Sequence, residues 1–127
     1  MTTATAISAP SKKLINDKCI FLCANKKYDP SMTEAEVFEV VRKWWHPRPL
    51  VRDEARFAVV YAGEVIVRVY KIRRGSWVEE TRGWVFDGNL SKKHTHLVGT
   101  FVGDDIRVHE ENPYNPALNG FEIMTEG

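Results

Sequence analysis

The chain has 127 residues, of which 43% are hydrophobic and 28% are charged, and its formal net charge is +1. This size and composition predict one globular domain, and the near-neutral charge excludes a general attraction to nucleic acid or anionic membranes, so such binding would need a local basic patch. No apolar run approaches the ~20 residues that span a bilayer, and the small, polar N-terminus lacks the features of a signal peptide, so we expect a cytoplasmic protein.

The first part of the chain predicts a flexible tail and then a strand. Residues 1–12 are rich in Thr, Ala and Ser, and we expect a single domain over residues 13–127. Residues 18–24 predict the first strand. Cys19 and Cys23 would point to the same face of that strand, but at ~13 Å apart they are too distant for a disulfide. We therefore expect two small buried residues.

A helix is predicted to begin after Thr33, because Thr33 and Glu36 have the spacing of a capping box. An apolar stripe continues the helix to Trp44 and Trp45, and Pro47 ends it. Adjacent helical residues differ by about 100° in direction, so one Trp can pack in the core while the other borders a groove. The alternative is that both pack in the core.

The centre of the chain predicts a β-hairpin from Phe57 to Ile72 that turns at Ala62-Gly63-Glu64. Strict alternation places two sets of side chains on opposite faces of its second strand: Val65, Val67 and Val69 on one, and Ile66, Arg68, Tyr70 and Ile72 on the other. Arg68 would then lie between apolar neighbours, either at a sheet edge or in a polar pocket.

The remaining segments predict short strands separated by turns. We expect a charged connection (residues 50–56), turns (73–76 and 87–89), a short strand (84–86), a hairpin (96–102 and 106–109) and a last strand (121–124). One main helix with five to seven mostly antiparallel strands predicts an α+β fold with a small, curved, β-barrel-like sheet.

Aromatic and cationic side chains interleave along these segments, which favours a ligand-binding cleft. The candidate binding residues are Trp45, Tyr70, Trp77 and Trp84 for stacking on a base, Asn25 for a base edge, and Arg48, Arg52, Arg68 and Arg73 for phosphate. The alternatives are that the aromatic residues pack in the core and that the cations form a solvated surface.

Catalytic and metal-binding patterns are weaker. His94 and His96 would share one side of a strand, but two ligands do not make a metal site, so we predict no metal and no cofactor. The chain has no nucleophile-elbow, phosphate-binding or dinucleotide motif, and no catalytic residue is identified. A small hydrolase that uses His46, Lys71 and a nearby Glu is the enzymatic alternative.

Three segments carry a family resemblance: Tyr28 to Thr33, the pair Trp44-Trp45, and Gly-Trp-Val-Phe-Asp-Gly from Gly83 to Gly88. Together with the hairpin, their order resembles the PUA-like superfamily, in particular its EVE and ASCH branches and small bacterial and phage domains. The resemblance covers residues 18–124 and implies a pseudobarrel that binds RNA or modified bases. A few ASCH members are nucleases or amidohydrolases, but no catalytic set of theirs maps onto this sequence.

The resemblance and the interleaved aromatic and basic residues together predict a nucleic-acid-binding module. It would read a modified or flipped base through an aromatic pocket with a basic rim, and its partner would be RNA, DNA or a nucleobase-like ligand. Two alternatives remain open: an ASCH-like hydrolase or nuclease, and a phage-type accessory or inhibitor protein that acts through protein contacts.

Overall fold

A computed structural model describes residues 18–102 and the backbone of residues 122–124. The strands are β1 (Cys19–Cys23), β2 (Lys43–Trp45), β3 (Phe57–Ala62), β4 (Val65–Ile72), β5 (Val78–Glu80), β6 (Gly83–Val85), β7 (Gly88–Leu90) and β8 (Glu122–Met124). The helices are α1 (Glu34–Val41), α2 (Pro49–Glu54) and a 3-10 helix (Lys92–Leu97). The tail expected over residues 1–12 and the strand expected at 106–109 lie outside the described residues.

The strands divide between two sheets. The larger sheet has the order β7-β4-β3-β1-β8, in which β1 is parallel to both of its neighbours and the other pairs are antiparallel. The smaller sheet has the order β2-β6-β5 and is antiparallel. The predicted α+β class with mostly antiparallel pairing is confirmed. The described residues contain eight strands, one more than the upper limit of the predicted five to seven. Within these residues neither sheet closes into a barrel.

Strands β1 and β3 form the centre of the core because their side chains are apolar on both faces. Cys19, Phe21 and Cys23 belong to one buried cluster, whereas Ile20 and Leu22 belong to the cluster on the opposite face. The 3-10 helix packs on the first cluster, while α1, α2 and the smaller sheet cover the second. Both cysteines are buried, which confirms that expectation.

The central hairpin is confirmed, but its second strand does not alternate strictly. The register between β3 and β4 shifts between Val60 and Tyr61, where β4 has one extra residue, Val67. This bulge brings Ile66 and Val69 into the same buried cluster and places Val67 against the opposite one. The predicted division into odd and even residues was therefore wrong.

Helix α1 begins as predicted and ends early. Thr33 and Glu36 form the capping box, in which the Glu36 amide donates to Thr33 Oγ1 over 3.2 Å and Glu36 Oε1 accepts from the Thr33 amide over 2.8 Å. The helix ends at Val41, and Trp44 and Trp45 lie in β2. The predicted helical position of both Trp residues was wrong, because Trp44 has a φ of +87°, outside the helical region.

Three other local predictions were wrong. Residues 50–56 were expected to be a connection, but α2 occupies most of them, with Pro49 at the first helical turn, where its fixed φ favours a helix. The expected turn at 87–89 is largely strand β7, and the expected strand at 96–102 begins inside the 3-10 helix.

The turn after β4 and the two short strands β6 and β8 occur where they were predicted, to within about one residue. Strand β8 lies at one edge of the larger sheet, beside β1. No helix among the described residues is long and apolar enough to cross a membrane.

Candidate functional site

The smaller sheet is held together by a close approach of two backbones. Gly83 in β6 has a φ of +145°, and a Cβ atom there would lie 2.9 Å from the Trp45 carbonyl oxygen in β2. Opposite it, the register of β2 shifts around Trp44. Only a glycine at position 83 lets the two strands pair at this distance. The result is that the adjacent side chains of Trp44 and Trp45 enter different surroundings.

Trp45 is a core residue. Its side chain is 2% exposed, and its indole Nε1 donates a hydrogen bond to the Val41 carbonyl oxygen over 2.8 Å. The Lys27 ammonium lies 4.0 Å from the centre of its ring. Trp45 was predicted to stack on a base, but its ring is enclosed by the protein and offers no open face to a base.

Trp44 lies at the outer surface of the smaller sheet and is half-buried. The Lys43 ammonium and the Arg82 guanidinium lie 4.8 and 4.5 Å from the centre of its ring. Its Nε1 donates to Glu80 Oε1 over 3.3 Å. Two cations close to one indole are typical of cation–π pairing, which keeps the ring in a defined position at the surface.

Trp84 in β6 is also half-buried and carries a cation. The Arg52 guanidinium lies 3.8 Å from the centre of its ring, and Arg52 Nη1 donates to the Pro47 carbonyl oxygen over 2.8 Å. This contact fastens α2 to the smaller sheet. We use the name cation–aromatic face for two groups taken together, Trp44 with Lys43 and Arg82, and Trp84 with Arg52.

Carboxylates border this face. Lys43 Nζ lies 2.9 Å from Glu39 Oε2, and this hydrogen bond, with the nearby charges of Lys43 and Arg42, holds the pKa of Glu39 below its usual range. Glu79 and Glu80 are exposed on β5. Each indole of the face thus has a cation beside it, and the Trp44 group is also in contact with carboxylates.

The other predicted polar contacts are engaged within the protein or lie apart. Asn25 Oδ1 accepts a hydrogen bond from the Gly63 amide over 2.6 Å, which stabilises the hairpin turn. Arg73 Nη2 lies 2.9 Å from Asp87 Oδ2. Arg48 is exposed at the start of α2. None of the three belongs to the cation–aromatic face as defined.

A groove of about 290 Å³ lies between α1 and the edge of the larger sheet. Its lining residues are Glu34, Ala35, Phe38, Tyr70, Gly88, Asn89 and Leu90. Tyr70 is 2% exposed, and burial raises the pKa of its phenol to about 12. The Phe38 and Tyr70 ring centres are 5.1 Å apart. Tyr70 is thus as enclosed as Trp45, and the partly buried Phe38 is the more accessible ring of the groove.

Arg68 lies next to this groove because it pairs with Glu34, one of the lining residues. Its Nε lies 2.5 Å from Glu34 Oε1, and its Nη1 donates to the Val67 carbonyl oxygen over 2.6 Å. Trp77 lies elsewhere, against the core, with its ring centre 5.2 Å from that of Phe86. The buried Trp77 Nε1 has no hydrogen-bond partner among the described residues.

The structure therefore brings together only part of the predicted set. Arg52 and Trp84 contact each other, and Arg68 and Tyr70 border the groove, whose lining includes Tyr70 but none of the three predicted Trp residues. Sequence reasoning left Trp44 out of the site. The adjacent Trp pair was the sequence signal that could have identified Trp44, since the two members of such a pair point in different directions and one of them can face away from the core.

Lys43 and Arg82 were also left out of the predicted site. No sequence pattern pairs either of them with Trp44. Arg82 approaches the ring because it lies in the turn between β5 and β6, beside the close contact at Gly83. That approach depends on the pairing of three strands.

The candidate metal and catalytic residues do not form a site in the described part of the chain. No group of three or more His, Cys, Asp or Glu residues there could hold a metal ion. His94 lies in the 3-10 helix, not in a strand, and is buried, with Nδ1 2.8 Å from Ser91 Oγ. His46 and Lys71 are exposed, and no hydrogen bond or ion pair joins them.

Comparison of the chain with protein-family models, curated proteins and solved structures finds no match in any of the three. The resemblance to the PUA-like superfamily therefore stays a prediction from the sequence.

Proposed function

We propose that this protein binds single-stranded RNA or DNA along the cation–aromatic face. The observation that carries the proposal is the pairing of surface indoles with cations, with the Arg52 guanidinium 3.8 Å from the ring of Trp84 and the Arg82 guanidinium 4.5 Å from the ring of Trp44. Proteins that bind single strands combine positive charge along the backbone with aromatic side chains on which bases stack.

The open shape of the face favours a single strand over a duplex. Trp44 and Trp84 are half-buried at the surface, so their exposed parts and the guanidinium planes beside them are accessible to unpaired bases, plain or modified. The bases of a duplex are already stacked on each other, and taking one out costs a few kcal/mol. We therefore expect a clear preference for single strands.

The test is a titration of fluorescently labelled single-stranded and duplex oligonucleotides of equal length, monitored by anisotropy over a series of salt concentrations. We expect single strands to bind more tightly and their affinity to fall steeply with salt, because phosphate contacts release counterions. Absence of binding to every oligonucleotide at low salt would remove the proposal.

Point variants locate the binding surface. Trp84→Ala should weaken binding by about 1–3 kcal/mol, the usual contribution of one stacked base. Arg82→Ala should weaken binding and lower the salt dependence by about one phosphate contact. Arg74→Ala is the matched control, since Arg74 is an exposed turn arginine outside the face. Equal affinities of Arg82→Ala and Arg74→Ala would place the interface elsewhere.

A PUA-like relationship is part of this proposal, together with recognition of a modified base. Its support is the α+β fold with one main helix after the first strand, followed by the hairpin. Binding of base-modified oligonucleotides more tightly than plain ones in the same titration would support it, and equal affinity would limit the proposal to general single-strand binding.

A protein partner is the second candidate function, and one observation favours it. Leu50 on α2 is 61% exposed and Val78 on β5 is 58% exposed, and these two elements flank the cation–aromatic face. If Leu50→Ser lowers the affinity for an oligonucleotide, then the apolar surface of α2 also belongs to the nucleic-acid interface. Unchanged oligonucleotide affinity would leave this apolar surface to a protein partner.

A further inference from the structure

The groove between α1 and the edge of the larger sheet is separate from the cation–aromatic face. It is lined by the first half of α1, from Glu34 to Phe38, whereas Lys43 and Trp44 follow the end of that helix. The two ends of α1 are about 12 Å apart at 1.5 Å per residue. The groove is thus a second candidate binding site.

Phe38 is the aromatic side chain of the groove that a flat ring can reach, because it is partly buried whereas Tyr70 is 2% exposed. The Tyr70 ring packs beside it, with the two ring centres 5.1 Å apart at an interplanar angle of 51°. Gly88 lines the groove with its backbone. A ligand ring can pack against Phe38 in an offset or edge-to-face arrangement.

The rim of the groove carries an ion pair. Of the described residues that line the groove, Glu34 is the charged one. Arg68 Nε and Nη2 both lie 2.5 Å from Glu34 Oε1. The Glu34 side chain is 59% exposed and both contacts are on Oε1, so Oε2 can accept a hydrogen bond from a ligand.

The remaining polar groups of the groove are neutral. Burial keeps the Tyr70 phenol protonated at any physiological pH, since its pKa is raised to about 12. The Asn89 side chain is exposed on β7 and offers an amide. The Arg68 guanidinium that offsets the Glu34 charge has its Nε and Nη2 on Glu34 and its Nη1 on the Val67 carbonyl oxygen. An anionic ligand would therefore meet the Glu34 carboxylate without a free cationic donor, whereas an N–H donor would be accepted.

We propose that this groove binds a flat aromatic ligand that carries N–H donors and is neutral or cationic, with its ring against Phe38 and an N–H group on Glu34 Oε2. This site is independent of the cation–aromatic face, and it is tested without nucleic acid.

Benzamidine, benzamide and benzoate form a matched set of probes, because they share one ring and differ in charge and in N–H donors. Each is titrated into the ¹⁵N-labelled protein, and the backbone amide shifts of Gly88 and Asn89 report on the groove. We expect saturable shifts, with the affinity decreasing from benzamidine to benzamide to benzoate. Binding of benzoate as tight as that of benzamidine, or no shift with benzamidine, would overturn the proposal.

Two variants test the assigned contacts. Glu34→Gln should weaken the binding of benzamidine by about tenfold, because a charge-assisted hydrogen bond is lost. It should change the affinity for benzamide little, because the glutamine oxygen still accepts a hydrogen bond. Glu79→Gln is the control for the removal of an exposed carboxylate. Ala35→Trp fills the groove and should abolish the shifts with all probes, while unchanged amide spectra away from the groove show that the variant is folded.

The variant results also define the contrary outcome. Equal weakening of benzamidine and benzamide by Glu34→Gln would show that the carboxylate does not select the ligand by charge. Unchanged benzamidine shifts in Ala35→Trp would show that the probe binds outside the groove. Either result would overturn the assignment.

Discussion

The two sheets of this protein are built by different means. In the larger sheet, β1 and β3 pair in parallel over five consecutive residue pairs, and β1 is buried over its whole length. In the smaller sheet, each strand has three residues, the register shifts within β2, and β6 can approach β2 only because residue 83 is a glycine.

This difference separates stability from binding. In the larger sheet, apolar burial on both faces provides the stability and leaves few aromatic side chains at the surface. In the smaller sheet, Trp45 enters the core while Trp44 and Trp84 remain at the surface. Trp45 and Trp84 are partners in the register but differ in exposure. We therefore expect one of them to support stability and the other to support binding.

The largest expected effect tests this contrast directly. Trp45→Ala removes a buried indole and its hydrogen bond to the Val41 carbonyl oxygen, so it should lower the free energy of unfolding by about 3–5 kcal/mol. Trp84→Ala should cost much less stability and mainly lower the affinity for single strands. Urea unfolding of both variants measures this difference, and equal losses of stability would contradict it.

A second expected effect concerns the edge of the larger sheet. A Cβ atom at Gly88 would lie 2.1 Å from the Lys71 carbonyl oxygen, so Gly88→Ala should separate β7 from β4 at a cost of about 2–3 kcal/mol. Hydrogen exchange of the Ser91 amide, which donates to the Val69 carbonyl oxygen, should become faster.

Gly75→Ala is the control for this substitution. Gly75 has a φ of +74° and open space around its Cα, so its replacement adds only backbone strain of about 1–2 kcal/mol. It should leave the exchange of the Ser91 amide unchanged. Faster exchange in both variants would show that the edge strand responds to general destabilisation instead of to the local contact.

A smaller effect isolates the backbone of β2. Trp44→Gly and Trp44→Ala both remove the indole, but only glycine adopts a φ of +87° at low cost. Trp44→Gly should therefore be more stable than Trp44→Ala by about 1–2 kcal/mol in urea unfolding. Equal stabilities would mean that the strand relaxes once the ring is removed.

The smallest effect is a pH dependence at the border of the face. The pKa of Glu39 is lower in the folded protein than in the unfolded chain because of Lys43, so the unfolded chain takes up a proton first as the pH falls. This contribution to stability is present above a pH of about 4.5, the ordinary pKa of a Glu side chain, and is lost as the pH falls below it. Glu39→Gln should make the urea midpoint less dependent on pH in this range than Glu79→Gln does.

Part of the fold could be predicted because it depends on neighbours in the chain. The capping box of Thr33 and Glu36 requires two residues three positions apart, and the hairpin from Phe57 to Ile72 requires two β-forming runs and a glycine at the turn. The continuous apolar runs of β1 and β3 also indicated burial on both faces, which is the signal for parallel pairing that the sequence analysis left unused.

The rest was decided by the tertiary structure, because it depends on contacts between residues distant in the chain. The helical stripe continued into Trp44 and Trp45, but pairing with β6 and the space at Gly83 ended α1 at Val41. In the same way, the bulge at Val67 set which side chains of β4 face the groove. By itself the sequence determined the start of α1, the central hairpin and the burial of β1 and β3, while only packing between elements decided which aromatic rings reach the surface.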